Sequence, residues 1–209
     1  MTVKVKICGI TNLEDAQTAV QCGADVLGFN FYERSPRYIR PEFAKKIIQR
    51  LPAEVGKVGV FVKAAVGDIE KACSISGVGE VQLHGGETPS FVEEVVKVCR
   101  ARVMKVLHVN TDFDASIALS YQVDAFLLDT YVSDFGGSGK TFDWSIASGF
   151  GKLFPKFYLA GGLTPENVAD AVRTVRPFGV DVCSGVEVEK GKKVRAKVEA
   201  FIRNAKSAI

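Results

Sequence analysis

The fold is decided by a stretch near the start of the chain, VKVKICGITNLEDAQTAVQCG at residues 3–23. Residues 3–8 alternate β-favouring side chains with lysines and predict a strand. Residues 11–23 predict a helix, because Thr11 and Glu14 have the spacing of a capping box and apolar residues recur on one face. A strand that leads directly into an amphipathic helix is the repeating unit of a parallel sheet covered by helices.

The same unit recurs along the chain, giving eight in all. Apolar segments predict seven further strands, at 26–31, 57–62, 80–84, 102–109, 125–129, 156–160 and 179–183. Amphipathic segments predict a helix after each, at 41–51, 66–76, 88–99, 112–120, from about 143, at 164–175 and at 192–207. Eight right-handed units can close on themselves, so we expect one α/β domain, a (β/α)8 TIM barrel over residues 1–209. An open doubly wound sheet is the alternative, but CGIT lacks the glycine fingerprint that usually follows its first strand.

Composition and charge narrow the class of protein. Hydrophobic residues make up 47% and charged residues 24%, as in ordinary globular proteins. The net charge is +3 with no basic run, which argues against a nucleic-acid partner. No run of 18 apolar residues exists and the N-terminus leads straight into a strand. We therefore expect a cytoplasmic protein with no membrane partner.

Cysteine and histidine usage argues against a metal centre. The five cysteines form an odd set without a C-x-x-C pair, which fits a reducing compartment better than a disulfide framework or a zinc site. The two histidines, His84 and His108, have no metal-like spacing to a partner, so a histidine-based metal site is not expected.

Several polar side chains fall at carboxyl ends of predicted strands, where such barrels place their sites. Cys8 acts as a base or nucleophile only as a thiolate, and a buried structural cysteine is the commoner role. Partial desolvation after the apolar run AFLLD can raise the pKa of Asp129 and make it a proton donor, but a helix cap is an equal alternative. Arg37 can bind a planar carboxylate through the two parallel donors of its guanidinium group, and a solvated surface arginine is the alternative. His84 is a ligand, a proton carrier or a hydrogen-bonded strand-end residue.

Glycines cluster after the last three strands of the predicted barrel. They lie in FGGSGKTFDW at 135–144, AGGL at 160–163 and CSGVE at 183–187. Glycines let backbone N–H groups approach an anion, and barrels often bind phosphate between the loops after strands seven and eight. Tight turns are the alternative for each cluster alone, but the three together favour a phosphate site.

Seven segments carry a resemblance that spans essentially the whole chain. They are KICGIT (6–11), GFNFYERSPRYI (28–39), VQLHG (81–85), LLDT (127–130), GGSGKTFDW (136–144), AGGLTPENV (160–168) and VDVCSGVE (180–187). Together they resemble the phosphoribosylanthranilate isomerase family. The resemblance implies the Amadori rearrangement of N-(5-phosphoribosyl)anthranilate to 1-(2-carboxyphenylamino)-1-deoxyribulose 5-phosphate, the third step of tryptophan biosynthesis from chorismate. It implies a phosphorylated small molecule as the partner, no cofactor and no metal.

The same resemblance implies a role for individual residues. Cys8 matches the general base and Asp129 the general acid. Arg37 matches the residue that steers the anthranilate carboxylate, while Asp181 and His84 match positions near the sugar. Backbone amides would hold the phosphate around Gly139, Gly161, Gly162, Ser184 and Gly185. The sequence is compatible with a monomer or a homodimer.

Two positions depart from the usual family pattern, which has serine where Ala160 and Cys183 stand. The alternatives are a histidine-pathway Amadori isomerase, which expects Asp in place of Cys8, and indole-glycerol-phosphate synthase, which expects a lysine inside the barrel, with Lys105 as the candidate. A non-catalytic phospholigand-binding barrel is a third. No cation adjoins Cys8 in sequence, so stabilisation of its thiolate is expected from across the barrel or from the turn at 9–12.

Overall fold

Eight parallel strands form a closed barrel in sequence order, so the (β/α)8 prediction is confirmed. The computed structural model describes residues 2–130 and 143–209. The strands are β1 (Lys4–Ile7), β2 (Val26–Asn30), β3 (Gly56–Phe61), β4 (Glu80–Leu83), β5 (Arg102–Val109), β6 (Ala125–Thr130), β7 (Phe157–Leu159) and β8 (Gly179–Val182). β8 pairs with β1, with Lys6 beside Asp181, and this pairing leaves the sheet without a free edge.

Helices connect the strands on the outside of the barrel. They are α1 (Leu13–Gln21), α2 (Pro41–Ile48), α3 (Val66–Ser76), α4 (Pro89–Cys99), α5 (Trp144–Leu153), α6 (Val168–Val175) and α7 (Arg195–Lys206). The segment predicted as a helix at 112–120 is a 3₁₀ helix, Ala115–Ser120. Among the described residues, no helix has both the length and the apolar character needed to cross a membrane.

An element that was not predicted follows β8. A small antiparallel hairpin, β9 (Glu187–Glu189) and β10 (Lys192–Lys193), lies between β8 and α7. Thr11, predicted as the cap of α1, instead donates a 2.6 Å hydrogen bond from Oγ1 to the Gly191 carbonyl in the hairpin turn. The prediction of the cap was wrong by one residue, because Asn12 is the N-cap.

Alternation along the strands separates two buried layers. Met104, Val106, Leu127, Tyr158 and Ala160 pack together inside the barrel. The outward side chains of the strands pack against the helices in a larger apolar core. Because the period is two, the inward positions near the carboxyl end of β1 are those of Lys6 and Cys8. The fold thus directs both side chains toward one mouth of the barrel.

We expect Asn12→Ala to destabilise the protein by about 1 kcal/mol, since the helix loses its cap. Asn12 Oδ1 accepts a 2.8 Å hydrogen bond from the Asp15 backbone N–H, which then has no partner in the helix. Denaturant unfolding measures the loss. Asn12→Ser keeps a capping oxygen and is the control, so equal losses in the two variants would contradict this account.

Candidate active site

A buried ion pair joins β1 to β8 beneath the mouth of the barrel. Lys6 Nζ lies 2.8 Å from Asp181 Oδ1, and the lysine side chain is 0% exposed. Burial opposes the charge on Lys6, but the charges of Asp181 and Cys8 outweigh burial and raise the lysine pKa. Burial raises the pKa of Asp181 to about 6. The raised pKa of Lys6 favours the charged lysine, whereas the raised pKa of Asp181 favours the protonated acid. The negative charges of Cys8 and Asp129 add to the effect of burial on Asp181.

Cys8 lies two residues after Lys6 on the same inward face and is 8% exposed. A hydrogen bond from the Cys183 thiol lowers the pKa of Cys8 well below its ordinary value. Burial opposes that shift, and the positive charges of Lys6 and Lys193 reinforce it. The same hydrogen bond raises the pKa of Cys183, so Cys183 keeps its proton, and its Sγ also lies 3.9 Å from Glu187 Oε1. The positive charge of Lys6 was not predicted, because stabilisation of the thiolate was expected from across the barrel or from the turn at 9–12.

A second cluster of buried charges lies beside the two thiols. Arg37 donates to Glu187 through Nε at 2.9 Å and through Nη2 at 2.6 Å. Lys193 Nζ lies 2.8 Å from Glu187 Oε1 and 3.8 Å from Cys183 Sγ. The Lys193 side chain is 0% exposed and that of Glu187 is 5% exposed. One buried carboxylate therefore holds two cations, and the cluster carries a net positive charge next to Cys8.

Arg37 was expected to offer its fork to a substrate carboxylate. Glu187 occupies the Nε edge of that fork, and no hydrogen bond from Nη1 is described within residues 2–130 and 143–209. Gly9, at φ +75°, lets the arginine reach this position, because a Cβ there would lie 2.7 Å from Arg37 Cδ and 2.8 Å from Cys183 Sγ. The ion pair fixes the guanidinium plane, and its binding of a second carboxylate stays a prediction.

His84 and Asp129 meet on the other side of the mouth, at the ends of β4 and β6. His84 Nε2 lies 3.3 Å from Asp129 Oδ2, and the two side chains are 21% and 24% exposed. His84 Nδ1 lies 3.0 Å from the Gln82 amide nitrogen. His108 lies beside Asp129 in the register of β5 with β6, and its ring centroid is 5.3 Å from that of His84. Burial lowers the pKa of His108, which favours its neutral form.

The glycine loops after β7 and β8 pack tightly against their neighbours. Gly161 has φ +85° and Gly162 has φ +65°, values that favour glycine. A Cβ on Gly161 would collide with the backbone nitrogen and Oγ1 of Thr130, at the end of β6. A Cβ on Gly185 would collide with the Leu163 carbonyl. The end of β6 and the loops after β7 and β8 therefore meet closely, as a shared anion site requires.

The remaining members of the predicted phosphate site are Ser184 and Gly139. Ser184 begins a short 3₁₀ helix, Ser184–Val186, directly after β8. Gly139 lies outside the described residues.

Lys105, the candidate for a catalytic lysine inside the barrel, lies on the outer face of β5. Its Nζ bonds to Glu87 Oε2 at 2.9 Å and to the Gly85 carbonyl at 2.7 Å, and the residue is 2% exposed. Its sequence neighbours Met104 and Val106 are the ones that point inward. Lys105 is therefore not part of the site inside the barrel.

The family model for N-(5'-phosphoribosyl)anthranilate (PRA) isomerase matches residues 5–204, nearly the entire chain. The chain belongs to this family. Curated relatives match this chain along all or nearly all of their length. The N-(5'-phosphoribosyl)anthranilate isomerase of Trichlorobacter lovleyi is 48% identical over 211 residues, covering 99% of this chain and 100% of that protein. The isomerase of Thermotoga maritima is 47% identical over 204 residues, covering 98% of each.

Solved structures from the family have the same barrel. The Thermotoga maritima phosphoribosylanthranilate isomerase superposes with a TM-score of 0.91 at 47% identity, covering 98% of both chains. A family member in complex with reduced 1-(o-carboxyphenylamino)-1-deoxyribulose 5-phosphate superposes with a TM-score of 0.88 at 44% identity, again covering 98% of both chains.

Sequence reasoning missed four side chains of this site. Lys6 and Gln82 could have been predicted from the sequence. Each lies two residues before a predicted site residue and so shares the inward face of its strand. Glu187 and Lys193 gave no such signal. They belong to the hairpin, and only the folded chain brings them to Arg37.

We expect Glu187→Gln to lower the free energy of unfolding by about 3 kcal/mol or more, because two buried cations lose their counter-charge. Glu189→Gln on the same hairpin is the control. Glu189 is 71% exposed and lies 3.8 Å from an exposed lysine, so its loss costs under about 0.5 kcal/mol. Similar losses in chemical denaturation of the two variants would overturn the assignment of Glu187 as the buried counter-charge.

Proposed function

We propose that the chain catalyses the Amadori rearrangement of N-(5-phosphoribosyl)anthranilate, the third step of tryptophan biosynthesis from chorismate. One observation carries the proposal beyond family membership. A thiol with a strongly lowered pKa, Cys8, lies at the end of β1, and a carboxyl group, Asp129, lies at the end of β6 across the same mouth. Asp181 faces the charges of both groups, which supports a single site between them.

In the proposed first step Asp129 is the general acid. It gives a proton to the furanose ring oxygen while the C1′–O bond breaks, and the anthranilate nitrogen supplies the electrons for a protonated Schiff base. Two contacts support an oriented carboxyl group. Asp129 Oδ1 accepts a 2.8 Å hydrogen bond from the Thr130 N–H, and Oδ2 lies 3.3 Å from His84 Nε2.

In the proposed second step the Cys8 thiolate removes the proton from C2′ of the sugar. The electron pair of that C–H bond moves toward the positive Schiff-base nitrogen, which gives an enolamine that tautomerises to the ketone. The step needs a deprotonated thiol near neutral pH. The hydrogen bond from Cys183 and the charges of Lys6 and Lys193 supply that condition.

The binding roles follow the same division of the site. We assign the anthranilate carboxylate to Arg37, whose plane is fixed by Glu187. We assign the sugar to Asp181 and His84. We assign the phosphate to the backbone around Gly139, Gly161, Gly162, Ser184 and Gly185. At Gly161 and Gly185 the close packing leaves no room for a side chain.

The two departures from the family pattern have different consequences. Ala160 is 4% exposed and its side chain packs inside the barrel with Tyr158, so we assign the missing hydroxyl no part in a phosphate site made of backbone amides. Cys183 shares a hydrogen bond with Cys8 that shifts the pKa of both thiols, so we assign the change from serine to the base instead of the phosphate.

The alternative functions have weaker support. A histidine-pathway isomerase would have Asp in place of Cys8, and a binding-only barrel has no use for a thiol of lowered pKa. The partner we propose is therefore a phosphorylated aminoaldose. For assembly we propose a monomer or a homodimer, and one related structure is described as monomers of the dimeric Thermotoga maritima isomerase.

We expect Cys8→Ala and Asp129→Asn each to lower turnover of N-(5-phosphoribosyl)anthranilate about 100-fold or more, the usual contribution of a general base or acid. The decrease in substrate fluorescence measures turnover. Cys99→Ala on α4 and Asp112→Asn before the 3₁₀ helix are matched controls and should retain the wild-type rate. Wild-type turnover in Cys8→Ala would show that the base is another group.

We expect Cys183→Ala to move the acid limb of the kcat/KM profile to higher pH by about one unit, the size of one lost hydrogen bond to a charged group. The sign follows from the base. Cys8 must be deprotonated to act, and losing the donor raises its pKa, so more alkaline solution is needed. Cys183→Ser keeps a hydroxyl donor and is the control. An acid limb that stays in place in Cys183→Ala would rule out this role for Cys183.

A further inference from the structure

We propose that His84, His108 and Asp129 form a binding site for a divalent transition-metal ion such as Zn²⁺, and that an ion bound there blocks the enzyme. Each residue offers one ligand atom, and these atoms all lie within 4.8 Å of one another. No spacing in the sequence indicates this cluster, because its members come from three successive strands instead of one short motif.

The donor set fits the proposed ion. Two imidazoles and one carboxylate are the protein ligands of many open zinc sites, in which water fills the fourth position. Imidazole also suits Cu²⁺ and Ni²⁺, whereas Mg²⁺ and Ca²⁺ prefer oxygen ligands. His84 and Asp129 are 21% and 24% exposed, so water can reach the open position.

The spacing is close to that of a formed site. Ligand atoms about 2.1 Å from a tetrahedral zinc ion are ~3.4 Å from one another. His84 Nε2 and Asp129 Oδ2 are 3.3 Å apart. His108 is held beside Asp129 by the pairing of β5 with β6, so only a modest movement of its side chain completes the set.

Gln82 supplies the support that a metal-binding histidine normally has. Its amide lies 3.0 Å from His84 Nδ1, and the residue is 1% exposed. Gln82 Oε1 is buried and accepts no hydrogen bond within the described parts of the chain. With the amide turned over, Oε1 accepts a hydrogen bond from Nδ1–H, which leaves the Nε2 lone pair of His84 for the ion.

Metal binding would stop catalysis by occupying the general acid. An ion on the Asp129 oxygens prevents that carboxyl group from giving its proton to the ring oxygen, and substrate and ion then compete for one place. This inhibition rests on the proposed function of Asp129, whereas the binding of the ion does not. His108 has no part in the proposed reaction, so replacing His108 tests the binding of the ion without removing the general acid.

The test combines calorimetry with turnover, on metal-free enzyme titrated with ZnCl₂. We expect one equivalent of Zn²⁺ to bind the wild type and the affinity to fall at least about 10-fold in His108→Gln. The variant should keep the basal turnover and lose its sensitivity to Zn²⁺. Zn²⁺ binding of equal affinity in His108→Gln, or no binding to the wild type, would overturn the site.

Cobalt distinguishes this site from the nearby thiols. Co²⁺ bound to nitrogen and oxygen shows only visible ligand-field bands, whereas a thiolate ligand adds an intense near-ultraviolet charge-transfer band. We expect no such band, and we expect Cys183→Ser to bind Zn²⁺ like the wild type. A charge-transfer band would overturn the proposal in favour of sulfur ligation. If the enzyme failed to turn over phosphoribosylanthranilate, the calorimetric result would still test the metal site.

Discussion

The ion pair between Lys6 and Asp181 is the contact on which the rest of the site depends. It joins the first strand to the last inside the barrel, where both groups are shielded from water. A buried pair of this kind is costly to form and more costly to break. Here it also places a permanent positive charge two residues before Cys8, so the closure of the barrel and the ionisation of the thiol depend on the same lysine.

The charges around the thiol balance only when the thiol is ionised. Lys6 and Asp181 cancel, and Glu187 cancels one of the two cations it holds, which leaves one positive charge. A Cys8 thiolate neutralises that remaining charge. The acid, in contrast, lies at the ends of β4 to β6 among neutral or partly exposed groups. The barrel thus keeps a base and an acid apart by giving each its own electrostatic surroundings.

Periodicity was sufficient to predict the barrel, because eight repeats of strand and helix allow few topologies. It also located Cys8, His84 and Asp129 at strand ends, since the end of an apolar run is visible in the sequence. It failed at the hairpin after β8, which has two- and three-residue strands and no apolar pattern. Contacts between distant strands, such as that of His84 with Asp129, depend on side-chain geometry that one sequence does not contain.

The pairing of β1 with β8 has a consequence for how the chain is made. Lys6 leaves the ribosome 175 residues ahead of its partner Asp181. At ordinary rates of translation β1 remains without β8 for roughly 10 to 35 s. During this time one edge of β1 can pair with an incorrect strand. Lysines on an open strand edge disfavour pairing with other strands, and this short strand carries two, Lys4 and Lys6. The charge that later tunes the thiol therefore first serves as protection for the growing chain.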